Sequence, residues 1–328
     1  MPTQGSQSPS PIPLPIPPEV LIDRIGPMDE DDPGAVFEST GRVHRAMVEE
    51  FLPADWDWAG KRTLDFGCGS GRVLRQFLPE AKGAAGSEFW GCDIDRPSIE
   101  WLQANLEPPF HFFATEEEAS LPQADGTFDL IYAFSVYTHF TDNWAGWMAE
   151  HHRVLADGGL MLLSYLGPGM FESLTGEAWD EDRVGMNPVL HGYPWELGGP
   201  LAFNSEWWIR AHWGRAFEVV TLNQIQGGDP PFAHGMVLLR KKPGTISVAE
   251  LERLEPDEPR EIAAIQHNIE QLRDDTLQLR AESERLRVWL AAAEGAVSDN
   301  QRIREEIEGS SSWRLTAPLR AAKARRRT

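Results

Sequence analysis

The feature that most constrains this chain is a glycine-rich segment, Thr63-Leu-Asp-Phe-Gly-Cys-Gly-Ser-Gly-Arg72, in which a short apolar run leads into three glycines at alternate positions. The pattern predicts a buried strand, a tight turn and a helix. Gly67, Gly69 and Gly71 let the backbone take positive φ and let a bulky ligand approach the strand end. The spacing differs from the dinucleotide pattern G-x-G-x-x-G, whose third glycine is replaced by Arg72. The turn therefore favours a nucleoside ligand over a dinucleotide.

A second predicted strand, residues 88–95, also ends in acids. Asp93 follows the glycine turn near the spacing at which a second Rossmann-type strand presents a carboxylate to ribose hydroxyls. The alternative is that Asp93 and Asp95 only cap the helix that Pro97 opens.

Strands and helices alternate through the rest of this region, which predicts a parallel sheet with helices on both faces. Further strands are expected at 110–113, 130–134 and 160–164, helices at 36–52, 97–106 and 143–155, and a closing hairpin at 217–222 and 236–240.

Four segments in this order resemble the class I S-adenosylmethionine-dependent methyltransferases: Leu64–Arg72, Gly91–Asp95, Leu121-Pro122 with Phe128–His139, and Arg153–Gly159. The resemblance covers about residues 36 to 242. It implies an S-adenosylmethionine-dependent methyltransferase with a seven-stranded, mostly parallel, Rossmann-like sheet whose last strand is antiparallel and inserted beside the fifth. The form Ser-Val-Tyr-Thr-His at 135–139 is similar to bacterial methyltransferases found among glycan-building enzymes.

The resemblance also implies the cofactor residues. The methionine moiety is expected to lie over the turn of Gly67, Gly69 and Gly71 with Asp65 nearby, and Cys68 and Ser135 are also expected to bind the cofactor. Asp93 would bond to the ribose and Ile94 would flank the adenine. Glu117 is the expected acid near the adenine amine, with Glu116 and Glu118 as alternatives, and at least two of the three glutamates are expected to be only solvated charges.

Methyl transfer to a hydroxyl requires alignment of two groups and removal of a proton, for which histidine is the usual base near neutral pH. His139 follows the fourth strand, His191 lies in a long intervening segment, and His234 begins the last strand. His139 is the first choice by position, with a purely structural role as its alternative. His151 and His152 lie in mid-helix and are expected to be packing or surface residues. No compact cluster of ligands compels a metal ion, although metal assistance stays open.

Residues 166–215 form a long segment rich in Gly, Pro and Trp, which predicts a lid over the substrate. Trp179 or Trp195 would suit stacking on a sugar ring, whereas Trp207, Trp208 and Trp213 are more typical of core positions.

The C-terminal quarter changes character, and residues 246–308 are predicted to form a coiled coil. With Ile262 at heptad position a, ten of fourteen a and d positions are apolar: Ile262, Ile265, Ile269, Leu272, Leu279, Leu286, Leu290, Ala293, Val297 and Ile307. A parallel homodimer or trimer is expected, and pairing with another protein's helix, such as a glycosyltransferase partner, is the alternative. The basic tail, 309–328, predicts peripheral membrane contact or a disordered end.

Composition limits the partners, metal sites and cellular location that the chain can have. The formal net charge of −21 disfavours a nucleic acid partner, and the two cysteines lack metal-ligand spacing. Residues 1–18 are Pro-rich and predicted to be disordered, leaving 19–245 as the globular domain. No stretch approaches the roughly 18 continuous apolar residues of a membrane span. A cytoplasmic protein, in part at the inner face of the membrane, is expected.

Together these observations predict an O-methyltransferase acting on a sugar hydroxyl of a bacterial surface glycan or its precursor. The alternatives are methylation of a small metabolite or a lipid, and a non-catalytic cofactor-binding scaffold that recruits glycosyltransferases through its coiled coil.

Overall fold

A computed structural model describes residues 12–23, 32–190, 199–223, 234–318 and 320. Two of the residues singled out above, His191 and Trp195, lie outside the described residues, as do Lys323 and Arg325–Arg327 of the basic tail.

The centre of the fold is a seven-stranded sheet in the order β3-β2-β1-β4-β5-β9-β8. All neighbours are parallel except β9, which runs antiparallel between β5 and β8. This confirms the predicted topology. The strands are β1 (Arg62–Phe66), β2 (Glu88–Asp93), β3 (Phe110–Ala114), β4 (Phe128–Ala133), β5 (Leu155–Tyr165), β8 (Phe217–Asn223) and β9 (Gly235–Lys241), with a separate hairpin of β6 (Met186–Val189) and β7 (Leu201–Asn204).

Helices cover the sheet and bury one apolar cluster on each of its faces. The helices of the described residues are α1 (Glu19–Ile22), α2 (Pro33–Phe51), α3 (Leu78–Gly83), α4 (Arg96–Leu106), α5 (Trp144–Val154), α6 (Pro168–Thr175), α7 (Glu206–Ala216), α8 (Val248–Glu252), α9 (Arg260–Gly309) and α10 (Ser311–Leu315), with a 3-10 turn at Leu74–Phe77. Helix α2 begins where the Asp32 carboxylate accepts from the Ala35 N–H and Pro33 occupies the first turn.

Residues 12–18, which the sequence predicts to be disordered, contact the domain. The reason is Arg75, whose side chain is completely buried. Its guanidinium forms an ion pair with Glu38 at 2.8 Å and donates to the carbonyls of Leu14 and Pro15 at 2.8 and 3.0 Å. A buried guanidinium needs acceptors on all sides, and the N-terminal backbone supplies two of them.

The predicted lid, 166–215, is not a continuous loop. It folds as α6, the β6–β7 hairpin and α7, and α7 is a core helix in which Trp207, Trp208 and Trp213 are buried, as expected for these three. Trp179 packs edge-on against Phe171 with ring centroids 5.2 Å apart. The hairpin is attached to the sheet's C-terminal edge, where the Ala202 N–H donates to the Thr138 carbonyl at 2.7 Å.

The long helix that carries the predicted coiled coil, α9, begins at Arg260 and not at residue 246. Residues 247–267 belong to the first compact unit, Met1–His267, and Leu251 of α8 is fully buried. A buried contact at 2.7 Å joins His212 Nε2 on α7 to Glu261 Oε1 on α9. Residues 268–328 form the second unit, whose main element is the remainder of α9. No helix in the described part of the chain is long and apolar enough to cross a membrane.

Candidate active site

The glycine turn lies at the C-terminal end of β1. Gly67, Gly69 and Gly71 have φ values of 76°, 52° and 83°, the left-handed conformations that glycine tolerates best. At Gly67 an added Cβ would lie 2.3 Å from Val136 Cγ2 in the loop after β4, so a side chain is excluded there by packing as well. The Gly67 and Cys68 N–H groups donate to the Cys92 carbonyl at 2.9 and 3.0 Å. The turn is therefore fixed to β2, next to Asp93.

The two acids after β2 have different roles. Asp95 caps α4, since its carboxylate accepts from the Ser98 N–H. Asp93 accepts from the Gly69 N–H at 2.7 Å through one oxygen and from the Asp95 N–H at 2.8 Å through the other. Each carboxylate oxygen can accept a further bond, so Asp93 holds the turn and can still bind a pair of hydroxyls. Beside it, the side chain of Ile94 is 54% exposed.

Asp65, on β1 just before the turn, is a buried carboxyl. Its Oδ2 atom has no hydrogen-bond partner among the described residues. Burial raises the pKa of Asp65 to about 8, and the Tyr132 hydroxyl and the Arg72 guanidinium offset this only in part. A buried acceptor without a partner fits a ligand that brings a cationic donor, such as an ammonium group.

The other residues expected at the cofactor occupy distinct positions. The Cys68 side chain is buried and points at Gly91, where an added Cβ would lie 3.0 Å from Cys68 Sγ, so only the backbone of Cys68 faces the turn. Ser135 is exposed after β4 and has a φ of 58°, which is uncommon for a residue other than glycine. Its N–H donates to Ser164 Oγ at 2.7 Å, and that bond from β5 holds the turn.

The three glutamates before Leu121 are exposed. Glu116 is paired with Arg96, while the Glu117 backbone carbonyl accepts from Asn143 Nδ2 at 3.1 Å. Glu116 is therefore occupied by a salt bridge, and Glu117 stays the prediction for the adenine side.

His139 has a defined tautomer. Its Nδ1 atom lies 2.9 Å from the Pro200 carbonyl oxygen, which can only accept, so Nδ1 carries the hydrogen and the neutral ring has its lone pair at Nε2. Burial lowers the pKa of His139, which keeps the ring neutral near pH 7. Neutral imidazole with the lone pair at a known atom is the form that a general base requires.

His234, directly before β9, lies near His139. Burial, and then the charge of His139, lower the pKa of His234 to about 4. The beginning of an antiparallel β9 thus brings His234 to the same edge of the sheet as the end of β4, as the topology predicted.

A third imidazole at this edge, His44, was missed by the sequence analysis. It lies on α2 and stacks on Phe134 with ring centroids 4.6 Å apart. Burial, followed by the charges of Arg72 and His234, lowers its pKa to about 3. Nothing in the local sequence of α2 distinguishes His44, because its place depends on how α2 docks on the glycine turn.

Helix α2 packs closely against the end of the glycine turn. An added Cβ at Gly41 would lie 2.3 Å from the Arg72 carbonyl oxygen, so the helix backbone rests directly on the residue after the glycine turn. The Glu38 carboxylate accepts from Gln76 Nε2 at 3.0 Å on the same side. Arg72, which distinguishes this turn from the dinucleotide pattern, is half-buried between α2 and Asp65.

Two other histidines have structural roles. His151 is fully buried and its Nδ1 atom lies 2.8 Å from the Tyr137 hydroxyl, while His152 Nε2 donates to the Lys242 carbonyl at 3.0 Å. Both are packing residues, as expected. Among the described residues, no group of three or more His, Cys, Asp or Glu side chains could hold a metal ion.

These groups fit S-adenosylmethionine. Asp65 and the glycine turn would hold the methionine end, Asp93 the ribose hydroxyls, and Ile94 would cover the adenine. The orphaned Asp65 oxygen and the remaining acceptor capacity of Asp93 match the ammonium and diol donors of that molecule. The imidazoles of His44, His139 and His234 lie at the same edge of the sheet, where an acceptor would enter.

Comparison with known proteins agrees with this interpretation. Residues 40–196 match a family described as a methyltransferase domain. Malonyl-(acyl-carrier protein) O-methyltransferase of Hahella chejuensis is 25% identical over 135 residues, which cover 40% of this chain and 46% of the relative. Ubiquinone biosynthesis O-methyltransferase of Aromatoleum aromaticum is 29% identical over 129 residues, covering 36% and 52%. The chain thus spans about half the length of these curated relatives.

Among solved structures, Burkholderia thailandensis 1,6-didemethyltoxoflavin-N1-methyltransferase, with bound S-adenosylhomocysteine, aligns with a TM-score of 0.45 at 18% identity, covering 63% of this chain and 80% of that one. The strand order β3-β2-β1-β4-β5-β9-β8 is that of the seven-stranded, Rossmann-like methyltransferase fold, and residues 40–196, just under half of the chain, are similar to the methyltransferase domain family.

Proposed function

We propose that this protein is an S-adenosylmethionine-dependent O-methyltransferase that methylates a sugar hydroxyl of a bacterial surface glycan or its precursor. The observation that carries the enzymatic part is His139, whose tautomer is determined by Pro200, at the sheet edge that also holds the glycine turn and Asp93. An oxygen acceptor needs such a base because its proton must leave as the new bond forms.

The bound cofactor would supply an electrophilic methyl group, and the chain's own residues would prepare the acceptor. His139 Nε2 would accept the hydroxyl proton. His44 and His234 would orient the acceptor oxygen, since both are neutral near pH 7 and can donate or accept hydrogen bonds. Helix α2 and the β6–β7 hairpin would restrict water at the site.

Two lines support the acceptor. The matched relatives are named as O-methyltransferases, which favours oxygen over nitrogen or carbon. The proposal of a sugar acceptor is supported by the Ser135–His139 motif and by residues 310–320. The latter, Ser-Ser-Ser-Trp-Arg-Leu-Thr-Ala-Pro-Leu-Arg, resemble a segment near the ends of bacterial polysaccharide glycosyltransferases.

The test is methyl transfer from labelled S-adenosylmethionine to three acceptors: a lipid-linked oligosaccharide, a malonyl thioester and a catechol. We expect product with the oligosaccharide and a loss of methyl sugars from the surface glycan when the gene is deleted. Turnover only with the thioester or the catechol would replace the glycan by a small-molecule acceptor. Tight cofactor binding without turnover on any acceptor would favour the scaffold.

The proposed base has its own test. His139→Ala should lower turnover by about 100-fold or more while leaving S-adenosylmethionine affinity unchanged. His111→Ala is the matched control, because His111 lies near the beginning of β3, away from the strand ends that form the site. Wild-type turnover in His139→Ala would remove this residue as the base and leave His234 and His44 as candidates.

A further inference from the structure

The exposed seam of α9 is the largest feature that the proposed activity does not use. From residue 269 onward, the apolar a and d side chains of this helix are open to solvent: Ile269 (43% exposed), Leu272 (44%), Leu279 (69%), Leu286 (57%), Leu290 (53%) and Val297 (66%). A continuous apolar stripe at heptad spacing on a long helix is stable when a second helix covers it.

The charged residues at heptad positions e and g beside this seam indicate which helix can pair with it. Position e of three successive heptads holds Arg273, Arg280 and Arg287, and position g of the same stretch holds Asp275 and Glu282. In a parallel, in-register pair of identical helices, each g residue faces the e residue five positions further along the partner. Asp275 would face Arg280 of the second copy, and Glu282 would face Arg287.

The antiparallel alternative puts like charges together. There, e positions face e positions and g positions face g positions, so the arginines would oppose arginines and the acids would oppose acids. The identity of the core residues points to two strands, because Leu272, Leu279 and Leu286 occupy d while β-branched Ile269 and Thr276 occupy a. We propose that α9 binds a second copy of this chain as a parallel, in-register homodimer.

The paired charges are available for this contact at modest cost. Within one helix, Glu282 contacts Arg285 at 2.7 Å and Arg287 contacts Glu284 at 3.7 Å, and all four side chains are at least half exposed. Exposed pairs of this kind contribute little, so they can exchange for contacts across a desolvated seam.

The test uses two charge reversals in the full-length protein. Asp275→Arg/Glu282→Arg makes both flanks basic, and Arg280→Glu/Arg287→Glu makes both acidic. By light scattering we expect a dimeric wild type, two monomeric variants, and a 1:1 heterodimer when the variants are mixed. Asp274→Arg/Glu284→Arg is the matched control, because it makes the same charge change on the outer face and should stay dimeric.

The relative orientation of the two α9 helices is tested by disulfide cross-linking. Ile269→Cys should form an intermolecular disulfide on mild oxidation, since identical a positions meet only in a parallel, in-register pair. A monomeric or trimeric wild type, two variants that stay dimeric alone, or no cross-link in Ile269→Cys would overturn the proposal. Cofactor binding, measured in the same samples, keeps this outcome distinct from a failure of the proposed activity.

Discussion

Asp65 shows how much of this site is decided at single residues. The carboxyl is buried at the end of β1 with its pKa raised to about 8, whereas an unfolded chain would ionise it near pH 4. Between these values the folded state holds a proton that the unfolded state has lost. Asp65 therefore lowers the stability of the ligand-free protein as pH rises from about 4 to 8.

This predicts a pH-dependent effect of Asp65→Asn, which is neutral at every pH. Without ligand, the variant should be more stable than wild type by about 1–3 kcal/mol at pH 7, and the difference should vanish near pH 4. Urea unfolding at both pH values measures it. Affinity for S-adenosylmethionine should fall in the same variant. A variant less stable than wild type at pH 7 would contradict the raised pKa.

The tautomer of His139 is a property that local sequence does not determine. Its position after the fourth strand predicted its place at the site, but its tautomer depends on Pro200, which is distant in the chain. The ring nitrogen of a histidine that carries the hydrogen is determined by the hydrogen-bond acceptor that another element brings beside it. Sequence alone therefore does not distinguish the two nitrogens.

At the scale of elements, α2 is the part of the site that the sequence described only as a helix on the sheet. Its contact with the glycine turn is a backbone contact at Gly41, reinforced by the buried pairing of Glu38 with Arg75 and Gln76. These contacts bring His44 onto Phe134 and hold residues 12–18 in place.

We therefore expect Gly41→Ala to lower the free energy of unfolding by about 1–3 kcal/mol, because the new methyl group would displace α2 from the Arg72 carbonyl. S-adenosylmethionine affinity should fall with it. Gly34→Ala on the same helix is the control, since its Cβ would find only ordinary contacts, 3.5 Å from Ile16 Cγ2, and stability should be unchanged or slightly higher. Equal effects of the two changes, in thermal unfolding and calorimetry, would exclude close docking as the cause.

For the whole molecule, the boundary between the compact domain and the rest of α9 lies near His267, not at residue 246. His212 connects α7 to the segment beyond β9, with Nδ1 donating to the Leu251 carbonyl at 2.8 Å and Nε2 facing Glu261. Removing this segment would take away the buried Leu251 side chain and leave a buried histidine without its partners.

Two truncated chains test the position of this boundary. A chain ending at His267 is expected to keep wild-type affinity for S-adenosylmethionine and the melting temperature of the domain. A chain ending at Gly244 should lose about 3 kcal/mol or more of stability, because it lacks the buried Leu251 and Glu261. Calorimetric scans of the two truncated chains decide this, and equal stability would return the boundary to residue 246.

The free energy of unfolding of the whole molecule is expected to depend on pH. Burial of His44 and His151 and partial burial of His234 lower their pKa values to about 3, 3 and 4, so the folded state binds fewer protons than the unfolded state between about pH 4 and 6.5. Stability should fall by about 2 kcal/mol per pH unit as pH decreases through this range, with Asp65 acting in the opposite direction.

His151→Gln tests this at a residue outside the site. The slope of unfolding free energy against pH should decrease by about 1 kcal/mol per pH unit in the variant, because one buried imidazole no longer has to stay neutral. His111→Gln, on the half-exposed side chain of β3, is the matched control. Urea titrations at pH 5, 6 and 7 measure all three proteins.

The sequence by itself determined the glycine turn, the place of Asp93 near it and the apolar seam of α9, because each depends on local periodicity or on a motif whose geometry is short-range. The antiparallel last strand beside the fifth was predicted by the resemblance to class I methyltransferases. Only the tertiary structure decided the roles of Arg75, Gly41 and His44, the tautomer of His139 and the place where the domain ends. Those depend on which distant backbone groups lie beside a buried side chain, and burial is a property of the packed molecule that no local pattern contains.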